Sequence, residues 1–222
     1  NLPRNLMLQL LDAIKSRRSI RAFEKRVPPQ DAIRECLEAA TWAPSATNQQ
    51  PWEFIVLTGH ALEKVNAIIL EHFAERMQGS TAFDNVPEHL AIRQQEIFAA
   101  LMGAGDTAGI EAQDIFQRSL RFFDAPVGVY FITVKRTDHQ YRLSTAAALE
   151  NFLLAAHAQG LGTCWLTVTV VCEEEIKEHL GLADDRELLG GVALGYPAVG
   201  SSLNTFKRTR VPVDEITTWL GF

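Results

Sequence analysis

The chain has 222 residues, of which 47% are hydrophobic and 22% are charged, a balance typical of a globular protein and unlike that of a disordered or fibrous one. Its 27 acidic residues outnumber its 21 basic residues, and the net charge of −6 disfavours a general nucleic-acid or anionic-membrane binder. The longest apolar stretch, residues 125–134, is far shorter than the roughly 20 residues that cross a bilayer, so no membrane-spanning segment is expected.

The hydrophobic pattern predicts long helices separated by a few short strands. Helices are expected at residues 6–17, 31–42, 62–77, 88–101 and 143–159. Buried strands are expected at 53–58, 126–134 and 188–196, with residues 164–170 as a candidate for another strand. The polar interval between the third and fourth helices is predicted to be a loop. Because helices and strands do not alternate evenly, the predicted fold class is α+β, with a small sheet packed by helices.

The domain organisation is predicted to be simple. Glycine and proline are spread evenly and no repeat or charge block marks a linker, so residues 1–222 are interpreted as a single domain. The tail, residues 201–222, shows no obvious helix of its own. It nevertheless contains large apolar residues: Val211, Ile216, Trp219, Leu220 and Phe222. Groups of this size usually pack on something, and a partner subunit is one candidate.

Neither the cysteines nor the histidines have the spacing of a covalent or metal framework. Cys36, Cys164 and Cys172 are odd in number and lack a Cys-x-x-Cys pair, so we expect reduced, structural thiols. The six histidines lack the spacing of a metal site. The glycine-rich segment 103–109 follows a helical pattern rather than a strand, which disfavours a dinucleotide-binding fingerprint. The apolar run 6–11 lacks a small-residue cleavage site, and we expect a cytoplasmic protein.

Two basic clusters lie near opposite ends of the chain. The first contains Arg17, Arg18, Ser19 and Arg21 at the end of a predicted helix, and the second is the Lys-Arg-Thr-Arg segment 207–210. Because the planar guanidinium group binds phosphate oxygens in pairs, such clusters are typical of a phosphate monoester site. The alternative is a solvated basic end that complements the dipole at a helix C-terminus. Both interpretations stay open at this point.

Two further segments are candidates for ligand contact. The polar loop 43–52 joins a predicted helix to a buried strand, and its Asn and Gln amides could pair with the imide-like edge of a heterocycle. Turn and cap chemistry would explain the same residues. The glycines of segment 160–167 would allow the backbone to approach a planar ligand, although glycine also simply ends helices.

Five segments taken in order resemble the flavin-dependent nitroreductase family. They are RRSIRAF (17–23), APSATNQQPWEF (43–54), AAALENFLLAAHAQGLGTCW (146–165), GYP (195–197) and KRTR (207–210). The similarity spans nearly the whole chain. It implies a small, mostly antiparallel sheet and a homodimer with FMN at the subunit interface. It also implies NADH or NADPH as hydride donor, and a C-terminal arm, residues 201–222, that reaches the partner subunit.

The resemblance further implies a role for the basic residues. Arg17, Ser19, Arg208 and Arg210 would hold the FMN phosphate, with Arg18 near the ribityl chain. Arg21 would lie at the pyrimidine edge of the flavin, where a cation stabilises the negative charge of the reduced ring.

Other contacts are implied for residues outside the basic clusters. The flavin would be approached from the partner chain by Pro44, Ser45, Ala46 and Asn48. Leu166 and Thr167 would line the ring, and Arg121 would lie near the pyrimidine. Thr167 and Val168 stand where some family members carry an acidic residue and a glycine.

The implied function is that of an FMN-dependent NAD(P)H oxidoreductase that reduces nitroaromatic, quinone or similar electron-poor acceptors by ping-pong hydride transfer. No catalytic side chain is expected, because the flavin N5 carries the hydride. Residues 83–117 contain no recognisable motif and correspond to the region that builds the substrate pocket in the family. The alternatives are another flavin chemistry on the same scaffold, namely flavin fragmentation or reductive dehalogenation, and a flavin carrier or sensor without turnover.

Overall fold

The computed structural model describes residues 4–78, 85–136 and 139–221 of the chain. Its helices are α1 (Arg4–Ser16), α2 (Gln30–Thr41), α3 (Gly59–Arg76), α4 (Glu88–Ala108), α5 (Ala112–Ser119), α6 (Gln140–Ala158), α7 (Glu173–Leu180) and α8 (Ser202–Thr205). Its strands are β1 (Trp52–Thr58), β2 (Val127–Val134), β3 (Gly162–Leu166) and β4 (Arg186–Gly195). Short 3₁₀ turns occur at Ala46–Asn48, Phe122–Asp124, Val168–Val170 and Val213–Glu215.

The strands form an antiparallel sheet in the order β1-β2-β4-β3. The predicted α+β class, with a small antiparallel sheet packed by helices, is therefore confirmed. The predicted strands 53–58, 126–134 and 188–196 are present as β1, β2 and β4, with ends shifted by one or two residues.

The central strand β2 is covered by helices on both faces. Val127, Val129 and Phe131 belong to a cluster of buried residues with α2 and α6, whereas Tyr130 and Ile132 belong to a second cluster with α3, α4 and α7. Successive side chains of a strand point to opposite faces, so a strand buried on both faces has a continuous apolar sequence. This burial explains why residues 126–134 contain no alternating polar positions.

Two adjacent glycines let aromatic and hydroxyl side chains lie directly on β4. A Cβ atom on Gly190 would lie 2.1 Å from Nε1 of Trp165, and one on Gly191 would lie 2.3 Å from Oγ1 of Thr169. The paired glycines of the sequence are therefore required by close packing against the strand.

Some helix boundaries differ from the sequence predictions. Helix α4 continues beyond residue 101 to Ala108, so most of the glycine-rich segment 103–109 is helical. Gly105 is needed there because a Cβ atom would lie 2.6 Å from Cδ1 of Ile115 on α5. Helices α5 and α8 are absent from the sequence predictions, and α7 is indicated only by residues 173–175, whose carboxylates suit the first turn of a helix. Residues 79–84 of the predicted polar loop lie outside the described residues.

The prediction of a strand at residues 164–170 is wrong beyond Leu166. Strand β3 spans Gly162–Leu166, and the chain then turns through the 3₁₀ segment Val168–Val170. The hydroxyl of Thr169 donates to the carbonyl of Leu166 at 2.8 Å, which stabilises the turn instead of an extended backbone.

None of the helices in the described ranges combines the length and apolar character that a bilayer-spanning segment needs. The same part of the chain contains no group of His, Cys, Asp and Glu side chains arranged to hold a metal ion. Cys36, Cys164 and Cys172 are buried and unpaired thiols.

Candidate functional site

A cavity of about 200 Å³ brings the two basic clusters together. Its described lining is Arg17, Arg18, Ser19, Arg21, Ile97, Phe206, Arg208 and Arg210. We call it the arginine cavity. The first four residues follow α1, Ile97 comes from α4, and the last three follow α8. Residues from opposite ends of the sequence therefore build one strongly cationic site.

The first basic cluster is held beside the sheet by backbone hydrogen bonds. The amide of Ile20 donates to the carbonyl of Thr163 on β3 at 2.8 Å, next to a parallel bridge between Ser19 and Thr163. This approach requires Gly162, because a Cβ atom there would lie 2.8 Å from Cγ1 of Ile20. The extended backbone therefore lies directly against the edge of the sheet.

The second basic cluster is attached to the first by arginine side chains. Arg208 donates through Nη1 to the carbonyl of Arg17 and through Nη2 to the carbonyl of Lys15. Carbonyls at the end of a helix have no intrahelical partner, so Arg208 caps the C-terminus of α1. Arg18 donates through Nη2 to the carbonyl of Phe206. These contacts bring residues 206–208 against the end of α1.

The ring of Phe206 contacts two guanidinium groups. Its centroid is 5.6 Å from Cζ of Arg18 and 5.5 Å from Cζ of Arg21. A cation over an aromatic face is attracted by the ring quadrupole. Phe206 therefore helps to keep two like charges near each other, a role that its position one residue before the basic cluster did not reveal in the sequence.

The positive charge of the arginine cavity is largely uncompensated. Arg17 lies 3.3 Å from a carboxylate oxygen of Glu150 on α6, but no carboxylate is among the residues described as lining the cavity. Burial, and then the charge of Arg21, lower the pKa of Arg18. Burial, and then Arg18, Arg210 and Arg17, lower the pKa of Arg208. Arginine stays protonated nevertheless, so the cavity attracts an anion.

Two buried nitrogens of the cavity lining lack a hydrogen-bond acceptor. The Nε atoms of Arg17 and Arg18 are buried and have no hydrogen-bond partner within the described part of the chain, although Nε of Arg17 lies 3.3 Å from the carboxylate of Glu150. A buried donor without a partner is costly, and an anionic ligand with several oxygens would provide acceptors. The donor set thus fits a phosphate group.

Two residues beside the cavity have shifted pKa values without being part of its lining. His157 of α6 places Nε2 2.7 Å from the hydroxyl of Ser16, and burial, followed by Arg17 and Arg208, lowers the pKa of this imidazole. Burial raises the pKa of the Cys164 thiol. Both groups are therefore uncharged at neutral pH, which leaves the arginines as the charges of the site.

The polar loop lies apart from the arginine cavity in this chain. Pro44, Ser45, Ala46 and Asn48 are not among its lining residues, and Trp42 beside them is 85% exposed.

The backbone of the loop is nevertheless tightly folded. Thr47, Asn48 and Gln50 have φ values of 49°, 58° and 49°, in the left-handed region that side-chain-bearing residues seldom adopt. The hydroxyl of Ser45 accepts a hydrogen bond from the amide of Gln50 at 3.0 Å. This loop is held in a defined conformation while its polar groups stay exposed.

Arg121 is linked to the cavity through a strained turn. Phe122, Phe123 and Asp124 have φ values of 53°, 54° and 55°, and Nε of Arg121 donates to Oδ1 of Asp124 at 3.0 Å. Strain of this kind persists only where the surroundings enforce it. The turn places the Phe123 ring 5.9 Å from Cζ of Arg21.

Leu166 and Thr167 lie at the end of β3, outside the lining of the arginine cavity. Leu166 is buried in the same apolar cluster as Phe122 and Phe123, whereas Thr167 is exposed. Of the predicted site residues, Arg17, Arg18, Ser19, Arg21, Arg208 and Arg210 therefore line one cavity, whereas the loop residues, Leu166, Thr167 and Arg121 lie outside its lining.

Comparison with known proteins assigns the family. Residues 14–196 match the model of the nitroreductase family, and the chain belongs to that family. It is 31% identical over 217 residues to chloronitrobenzene nitroreductase of Comamonas testosteroni. The aligned residues make up 94% of this chain and 96% of that protein. It is 30% identical over 217 residues to nitrobenzene nitroreductase of Ectopseudomonas oleovorans, with the same coverage of 94% and 96%.

A solved structure agrees with the fold. The FMN and NADPH-dependent nitroreductase NfnB of Sphigopyxis sp. strain HMH superposes with a TM-score of 0.85 at 26% sequence identity, covering 96% of this chain and 99% of that one. The expected family and fold are thereby confirmed.

Proposed function

We propose that the protein is an FMN-dependent oxidoreductase that uses NADH or NADPH to reduce nitroaromatic compounds, quinones or similar electron-poor acceptors. The observation that carries the proposal is the convergence of five arginines, among the described residues, on one cavity of about 200 Å³. Membership of the nitroreductase family supports it, as does the likeness to relatives named for chloronitrobenzene and nitrobenzene reduction. FMN is the proposed anion because the similar NfnB is FMN-dependent.

In this proposal, the phosphate of FMN occupies the arginine cavity. It is held through charge-assisted hydrogen bonds by Arg17, Ser19, Arg208 and Arg210. Arg18 lies near the ribityl chain. Arg21 faces the pyrimidine edge, where its charge favours the reduced form of the ring. When bound, FMN supplies the redox chemistry by accepting a hydride from the nicotinamide and passing it to the acceptor. The protein contributes position, charge and exclusion of water.

We further propose that a second copy of the chain completes the site. Pro44, Ser45, Ala46 and Asn48 of one copy then contact the flavin held by the other. Leu166, Thr167 and Arg121 lie toward the ring. The exposed loop is suited to this role because its backbone is fixed while its polar groups face outward. The tail 201–222 reaches the partner in this proposal, although Phe222 lies outside the described residues.

The remaining assignments follow the same proposal. Residues 83–117 form the substrate pocket over the flavin; residues 83 and 84 lie outside the described ranges, whereas α4 and α5 account for most of the rest. Ile97 of this region already lines the arginine cavity. We propose that residues 1–222 act as one domain, in the cytoplasm.

The visible spectrum of the purified protein provides the decisive test. We expect bound or added FMN to give flavin bands that bleach under anaerobic NADH or NADPH and return when a nitroaromatic compound is added. Bands that do not bleach with either donor would indicate a carrier or sensor. Absence of FMN uptake would overturn the proposal.

Steady-state kinetics test the order of the two half-reactions. With donor and acceptor both varied, a ping-pong sequence gives parallel double-reciprocal lines, and intersecting lines would contradict it. Product analysis after turnover should show reduced nitro groups. Fragmented flavin or released halide would instead identify one of the other flavin chemistries.

The exposed apolar surface predicts a dimer. Large apolar side chains are between 36% and 82% exposed on α1, on α4 and in the tail: Leu10, Leu11, Ile14, Leu90, Ile92, Ile97, Phe98, Ile216, Trp219 and Leu220. Apolar surface of this extent usually marks an interface. We expect light scattering to give about twice the mass of one chain for the FMN-loaded protein. A stable particle of 24.7 kDa with flavin bound would contradict the proposed dimer.

A further inference from the structure

The side-chain amide of Asn204 on α8 is buried and fully hydrogen-bonded to backbone groups. It is 5% exposed. Its Oδ1 atom accepts from the amides of Arg21 at 2.8 Å and Ala22 at 3.0 Å. Its Nδ2 atom donates to the carbonyls of Ala22 at 2.8 Å and Ala198 at 3.3 Å. An asparagine amide offers two donors and one oxygen with two lone pairs, so every hydrogen-bonding position is used.

These bonds join the two basic segments of the arginine cavity to each other and to the turn after β4. The backbone at Arg21 and Ala22 belongs to the segment after α1, Ala198 follows β4, and Asn204 precedes the second basic cluster. Ala198 also donates its own amide to the carbonyl of Ala22 at 2.9 Å. Asn204 therefore fixes the backbone of Arg21 and Ala22, directly after the hydrogen bond of Ile20 to β3.

Asn204 is itself held at both ends of its short helix. The hydroxyl of Ser202 donates to the carbonyl of Ala104 on α4 at 2.6 Å. Two residues after Asn204, the ring of Phe206 contacts the guanidinium of Arg21. The same short segment thus holds both the backbone and the side chain of Arg21.

We propose that Asn204 is a positioning residue, which holds Arg21 so that its charge acts on the ligand of the arginine cavity. The proposal rests on the proposed function, in which that ligand is FMN and Arg21 favours the reduced ring. Asn204 acts through Arg21 and contacts no reacting atom. Its loss therefore lowers both the affinity for FMN and the reduction potential of the bound flavin.

The test is a double-mutant cycle between Asn204→Ala and Arg21→Ala. We expect Asn204→Ala to raise the Kd for FMN about tenfold, since several net hydrogen bonds of the site are lost, and to make the flavin potential more negative. Because Asn204 acts through Arg21, the double variant should have the potential of Arg21→Ala alone. Potentials are measured on protein saturated with FMN, so that weaker loading does not affect them.

Two further variants separate positioning from stability. Asn204→Asp keeps the shape of the side chain but turns a carboxylate oxygen toward the carbonyls of Ala22 and Ala198. If Asn204 acts through Arg21, this variant should lower the potential only when Arg21 is present, whereas a direct effect of the added charge would persist in Arg21→Ala. Asn204→Asp replaces Asn204→Ala if that variant does not fold. Asn151→Ala is the matched control, because its amide donates to the carbonyl of Ala39 at 3.3 Å between α6 and α2. That variant should lower the unfolding temperature and leave the potential unchanged.

The outcomes are distinct. An unchanged potential in both Asn204 variants at FMN saturation, or full additivity with Arg21→Ala, would overturn the positioning role while leaving the proposed function intact. A wild-type protein that takes up no FMN would overturn the proposed function, and this inference with it.

Discussion

Alanine replacement of Arg17 and Arg208 together is expected to weaken FMN binding by about 3–6 kcal/mol, since a hydrogen bond to a charged group contributes roughly 1.5–3 kcal/mol. Both guanidinium groups line the same cavity, and Arg208 also holds the end of α1. The affinity is measured by titrating flavin fluorescence. Each single variant should show about half of the loss in binding free energy that the double variant shows.

Riboflavin provides the ligand control for this prediction, because it lacks the phosphate. The wild-type protein should bind FMN much more tightly than riboflavin, and the double variant should have little preference left. Arg142→Ala is the protein control. Arg142 is not part of the cavity lining, and its Nη2 atom lies 2.7 Å from Oε1 of Glu187. An unchanged preference in the double variant would show that the two clusters serve another ligand.

Alanine replacement of Phe131 is expected to lower the free energy of unfolding by about 3–5 kcal/mol, because a buried aromatic side chain leaves a cavity that its neighbours fill only partly. Phe131 is fully buried in β2. Its ring meets Phe54 and Phe152 edge to face, with centroid distances of 5.1 and 5.4 Å. The measurement is urea unfolding without added flavin.

Phe116→Ala is the matched control for the core variant. Phe116 is 46% exposed, although its ring meets Phe73 edge to face at 5.6 Å. Because about half of its surface is already exposed, the Phe116 variant should lose about half as much as Phe131→Ala, roughly 1–2.5 kcal/mol. Equal losses in the two variants would contradict the central position of Phe131 in the core.

The sequence predicts the fold where burial imposes a pattern. Strand β2 was recognised because burial on both faces requires a continuous apolar run, and α6 because its buried residues repeat at helical spacing. Helix α5 was missed because Ile115 is its only residue described as buried. Helix α8 was missed because a single turn contains no repeat.

The candidate site is predictable in its residue types and not in its assembly. The guanidinium groups of Arg17 and Arg208 indicate an anion from chemistry alone. Their meeting depends on tertiary contacts that no local pattern encodes. Asn204 shows the same limit, because an asparagine before a basic segment gives no sign that its amide binds backbone at Arg21, Ala22 and Ala198.

The contact between Arg208 and Arg17 joins positions 191 residues apart. Closing so long a stretch of chain has an entropic cost that local contacts do not share, so we expect contacts of this kind to form late in folding. During synthesis the first basic cluster leaves the ribosome long before the second. We therefore expect the arginine cavity to be among the last parts of the molecule to form, because a nascent chain without residues 204–210 lacks Phe206, Arg208 and Arg210 of its lining.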